Sequence, residues 1–125
     1  MSLRGKAAIA GIGEFRPSRY TEGATTLGML AEVGMQAVAD AGLEMKDIDG
    51  LVTESFAESP MFAPATMVEY LGIDAKFAEV VVHVGATGAA MVLRAAMAIS
   101  SGPVSYTHLR AHETALDLVC RLLLA

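Results

Sequence analysis

The sequence predicts an α/β fold with a parallel or mixed sheet, and three observations carry that expectation. Short apolar runs of strand length alternate with stretches of helical periodicity, in the order β-loop-α-β-loop-α-β-α. The strand-like runs are hydrophobic along their whole length, as strands covered on both faces are. A β-branched run over residues 77–84 passes straight into a helix-forming run over 86–99, through a junction that holds Gly85 and Gly88.

Taken in order, residues 6–12 read as the first buried strand, closed by Gly13. Gly11-Ile12-Gly13 invites the dinucleotide fingerprint, but Arg16 stands at its third glycine and Pro17 follows where a helix should begin, so no nucleotide site is assigned. Residues 14–23 are polar and read as an exposed loop. Thr25 or Thr26 then caps a helix over 26–41, with Leu27, Leu30, Ala31, Gly34, Met35 and Val38 at i, i+3, i+4, i+7 spacing. Glu32, Gln36 and Asp40 mark its wet face, and Gly42 ends it. In the connector 43–49, Asp47 and Asp49 could suggest a metal or an acid/base couple, yet turn chemistry explains both. Residues 51–54 form a second strand. After a loop over 55–63, Pro64 suits the first helical position, and the helix 65–71 stops at Gly72. The third strand, 79–84, leads into the helix 86–100, which Gly102 closes.

That last helix carries Arg94 as its only charge, so it is apolar nearly all round and should be enclosed by protein on most sides. Its length, with a charge inside, reads as too short to span a bilayer. Its N-terminal amides and positive dipole end converge on one interior point, where chemistry is expected. Met29, Met35, Met91 and Met97 read as core filler.

A length of 125 residues, 54% hydrophobic content and a net charge of −5 describe one mildly acidic domain, without a basic patch for nucleic acid. The apolar run after Lys6 is short and lacks a cleavage pattern, so the expectation is an untargeted, cytoplasmic chain. The single cysteine, Cys120, excludes an internal disulfide and a cysteine-rich metal site.

Residues 104–114, Val-Ser-Tyr-Thr-His-Leu-Arg-Ala-His-Glu-Thr, resemble one translated frame of the transposase mosaic end and adapter used in sequencing libraries. Residues 118–124, Leu-Val-Cys-Arg-Leu-Leu-Leu, resemble the flow-cell sequence that follows the index in such libraries, at the spacing an index would impose. The chain therefore divides into 1–102 and a non-native tail, 103–125, for which helix formers over 111–124 predict a helix. Removing the tail takes away Arg110, Arg121, Glu113 and Asp117, so the charge stays at −5.

Within 1–102, the succession Ala7-Ile-Ala-Gly-Ile-Gly13, Ala37-Val-Ala-Asp-Ala-Gly-Leu43, Asp47-Ile-Asp-Gly-Leu51 and Gly85-Ala-Thr-Gly88, followed by an alanine-rich helix ending in Ile99-Ser-Ser-Gly102, resembles the N-terminal quarter of thiolase-superfamily proteins. It is most similar to the sterol-carrier-type, lipid-transfer branch often labelled acetyl-CoA acetyltransferase. The resemblance implies a truncated α-β-α-β-α fold, with the helix from Ala86 buried between two sheets. Two more strands of the first sheet, and the second half, would then lie beyond Gly102.

The resemblance also implies acyl-CoA as substrate, no resident cofactor or metal, and a homo-dimer or hetero-oligomer in lipid metabolism. In that family a nucleophilic cysteine opens the turn before the buried helix, and here Gly85 stands in its place. No catalytic residue is therefore assigned. Gly85, Ala86, Thr87 and His83 are the candidate substrate-binding residues, with Thr87 expected to cap the helix and His83 to lie on a sheet face beside the turn. The reading is an aldolase or lyase acting on a β-hydroxyacyl-CoA in the intact parent, with this chain itself inactive. The alternatives are a non-catalytic thiolase-like subunit that binds a partner, or an acetyltransferase if the alignment at Gly85 shifts.

Overall fold

The fold is built around β2, Gly50–Thr53, whose four residues are all buried. Consecutive side chains point to opposite faces, so Leu51 and Val52, both fully buried, seed two separate cores. The computed structural model describes residues 2–16, 23–56, 61–102, 104–105, 107–109 and 120–124. Pro17 and most of the 14–23 loop lie outside them, as do 57–60 of the second loop.

On the Leu51 face lie α1 (Thr26–Asp40) and α2 (Ala63–Leu71), which enclose Leu30, Val38, Ile48, Phe56, Met67 and Ile73. On the Val52 face lies α3 (Thr87–Ser101), which packs Met91 and Ala95 against Val52 and Val81. The remaining strands are β1 (Ile9–Glu14), β3 (Phe77–Val80), β4 (Thr107–Leu109) and β5 (Cys120–Leu124). The five strands run in the order β1-β5-β4-β2-β3. β2 is parallel to β3 and to β4, in register from Gly50 opposite Phe77 and Thr107, whereas β5 is antiparallel to both β1 and β4. The sheet is therefore mixed.

Several expectations are corrected. β1 starts at Ile9 and runs on through Gly11 and Gly13 to Glu14, where the sequence had placed glycines at the strand's end. A Cβ on Gly11 would overlap the Ala37 carbonyl oxygen, and one on Gly13 the Val33 carbonyl oxygen, so the glycines let α1 lie directly on the strand. That contact sets the rotation of α1. Val33 and Ala37 are fully buried, while Met35, expected in the core, is 54% exposed.

The tail does not form a helix in its described part. Cys120–Leu124 is strand β5, and with β4 it fills the two sheet positions expected beyond Gly102; residues 111–119 of the expected helix lie outside the described residues. Backbone pairing with β1 and β4 outweighs local helix propensity there.

Candidate functional site at the β3–α3 turn

β3 leaves the ladder at Val80, opposite the last residue of β2, and the Val81 amide donates to the Thr53 carbonyl (2.8 Å) as the final link. The chain then folds through a short 3-10 turn, Val84–Ala86, into α3. His83 is thus not on a sheet face. It is exposed at the start of the turn, because the strand ends before reaching it.

Val84 adopts φ +53°, the left-handed region that a β-branched side chain occupies only under strain, and it is 88% exposed. Thr87 holds it there. Its hydroxyl, in a residue only 2% exposed, accepts from the His83 amide (2.9 Å) and donates to the Val84 carbonyl (2.8 Å). The expected cap on α3 is corrected accordingly: Ala86 occupies the N-cap position without a side-chain bond, and Thr87 braces the turn before the helix. A second link, Ala86 amide to His83 carbonyl (3.1 Å), tightens the same loop.

Gly85 stands at the crest of this turn. Its φ is not positive, and a Cβ built on it would meet nothing within 4 Å. Neither backbone conformation nor packing requires glycine here, in contrast with Gly11 and Gly13. Gly85 and Ala86 are exposed beside His83 and Val84, so three of the four candidate residues lie on the surface while Thr87 supports them from below. The turn offers backbone groups, the exposed His83 imidazole and the Thr87 hydroxyl, which is engaged with the backbone on both sides, and it holds no thiol.

The outer side of α3 is open. Thr87, Met91, Ala95 and Ala98 face the sheet, but Leu93 (52%) and Met97 (45%) are exposed, so the expectation of enclosure on most sides is met on one face only. By length and composition Val84–Ser101, 18 residues of mean hydropathy 1.3, is long and apolar enough to cross a membrane, which corrects the expectation of a stretch too short to do so. At the far end of the helix a cleft of about 410 Å³ is lined by Leu3, Phe77, Met97, Ala98 and the Arg94–Glu79 pair (3.6 Å). Its walls come from the N-terminal Leu3 together with β3 and α3, so no local pattern in the sequence marks it.

Asp47 and Asp49 have structural work. Asp47 Oδ2 accepts the Glu44 amide (2.9 Å), and Asp49 accepts the Ser105 amide and pairs with Lys76 (3.2 Å). Among the described residues no three His, Cys, Asp or Glu side chains are grouped to hold a metal.

This architecture, a mixed sheet with one apolar helix entering from a tight strand-to-helix turn, is thiolase-like. No protein-family model matches the chain. It is 39% identical over 101 residues to a steroid side-chain-cleaving aldolase of Thermomonospora curvata, and 37% identical over 101 residues to a 17-hydroxy-3-oxo-4-pregnene-20-carboxyl-CoA lyase of Mycobacterium tuberculosis. Each match covers 80% of this chain and 25% of the relative. Among solved structures it is similar to an Ltp2-ChsH2(DUF35) aldolase, with TM-score 0.72 and 33% identity over 90% of this chain and 29% of that one. An acetyl-CoA acetyltransferase of Syntrophomonas wolfei shares the fold alone, with TM-score 0.72 and 18% identity over 84% of this chain and 28% of that one. The chain spans about a quarter of the length of the curated relatives it matches.

Proposed function

We propose that this chain is part of a thiolase-fold carbon–carbon lyase acting on a β-hydroxyacyl-CoA thioester. The observation that carries the reading is Gly85, a residue without a side chain where neither φ nor packing asks for glycine, in a chain similar to two proteins named as an aldolase and a CoA lyase. With no thiol at the turn and the Thr87 hydroxyl committed to the backbone, the reaction proceeds without an acyl-enzyme. A general base takes the proton of the β-hydroxyl, the Cα–Cβ bond breaks, and its electron pair moves onto the thioester as an enolate. Protonation at the α carbon then releases a shortened acyl-CoA and a carbonyl compound. The acid and base belong to the part of the protein beyond Gly102. The role given to the turn is electrostatic: the Gly85 backbone and the first turn of α3 place partial positive charge near the thioester oxygen.

The complete protein, cytoplasmic and without a resident cofactor in this reading, works as an oligomer. A second, different subunit is favoured by the two-component name of the aldolase structure it resembles. Residues 103–125 are proposed to be foreign to it, with the native continuation supplying the two central strands. One observation supports this: Thr107 Oγ1 in β4 is buried with no hydrogen-bond partner among the described residues.

The test is to express the uninterrupted native frame and incubate it with acetyl-CoA and with a β-hydroxyacyl-CoA. Cleavage without a covalent adduct is expected by product analysis and intact mass. A stable acyl adduct within residues 1–102 overturns the reading. Detection of a tail peptide in the natural source would remove the claim about 103–125.

A further inference from the structure

The two outer strands of the sheet, β1 and β3, present a choice about which edge another chain could join. β1 is the hazardous one by composition: residues 7–13 carry no charge, and Ile9 and Ile12 are 54% and 50% exposed. Short, uncharged, apolar strands with a free edge template pairing with other chains. β5 occupies one side of β1, and the outward amides lie on the other.

Two of those outward amides are occupied. Ile12 donates to Asp40 Oδ2 (2.9 Å) and Glu14 to Gln36 Oε1 (3.2 Å), both from α1. The spacing is matched: four residues of helix advance about 6 Å and two residues of strand about 6.7 Å, so acceptors at i and i+4 meet donors at alternate strand positions. Gln36 is oriented for this by donating its Nε2 to Glu32 Oε1 (3.3 Å). The absence of side chains on Gly11 and Gly13 lets the helix come close enough. Asp40 closes α1, where the negative end of the dipole disfavours a carboxylate, so helix energetics do not account for it and the Ile12 amide does.

We infer that Asp40 and Gln36 guard the β1 edge, taking the donors that a strand from a second chain would need and so blocking strand addition on that side. The test uses the complete protein carrying Asp40→Ala and Gln36→Ala together, with Asp40→Asn as the variant that keeps an acceptor. Hydrogen exchange is followed on the peptide containing Ile12 and Glu14, and self-association by sedimentation over a concentration series. In the double alanine variant these amides should exchange about tenfold faster, and higher oligomers should appear, while Asp40→Asn behaves as wild type. Unchanged exchange overturns the inference, as does faster exchange with an unchanged size distribution. Should the double variant fail to fold, each single alanine variant frees one amide and is judged by the same two readouts.

Discussion

α1 and α3 are both fifteen residues long and both pack on the sheet, yet one is finished and the other is not. α1 buries Leu30, Ala31, Val33, Gly34, Ala37 and Val38 and turns Glu32, Gln36 and Asp40 outward, so polar groups meet water and the edge of β1. α3 buries four residues and turns Leu93 and Met97, 52% and 45% exposed, outward, and Val84 in the turn that leads into it is 88% exposed. An apolar face of this kind is normally covered. The difference teaches that α1 meets water with polar side chains on its outer face, whereas α3, whose first turn adjoins the candidate site, presents Leu93 and Met97 there.

The sharpest way to break the comparison is at β1. Gly11→Ala should destabilise the complete protein by about 3 kcal/mol or more in urea unfolding, since the added carbon collides with backbone that cannot rotate away. A cost under about 1 kcal/mol would mean that α1 is not seated on β1 as described.

Leu93→Asp tests the other side. In the complete protein it should cost about 2–3 kcal/mol, because a charge would be driven into the covering surface. A change within about 0.5 kcal/mol would show that α3 faces water and is as finished as α1.

At the turn, Thr87→Val removes both hydroxyl bonds that hold Val84 and should cost about 2 kcal/mol. Val84→Gly should act with the opposite sign, stabilising by up to about 1 kcal/mol by relieving the left-handed backbone. Equal melting temperatures for both variants and wild type would remove the strained-turn description. The smallest effect is expected at the start of α1. Thr25 Oγ1 accepts the Gly28 amide (3.0 Å), and Thr25→Ala should cost about 1 kcal/mol, local to that helix by hydrogen exchange.

Much of the fold is legible in the sequence because periodicity and punctuation are local. Thr25, Pro64, Gly72 and Gly102 mark helix ends where they were read, and the helix bounds agree to within two residues. The strands were harder. β3 stops at Val80 although the β-branched run continues to Val84, because its partner β2 runs out at Thr53. The candidate turn was found from the Gly85–Gly88 spacing, but Thr87 and His83 changed their parts, since a hydroxyl chooses among backbone partners only once the turn exists.

What the sequence by itself determined is the alternation of elements, the amphipathic seam of α1, and a helix too apolar for its single wet side. Those properties depend on side-chain type at fixed local spacing. Only the tertiary structure decided that β5 and β4 stand between β1 and β2, that Gly11 and Gly13 are seats for a helix, and that Asp40 and Gln36 reach the strand edge. Each of these joins residues far apart in the chain, and the energy that selects them comes from close packing and hydrogen-bond satisfaction, which no local pattern encodes.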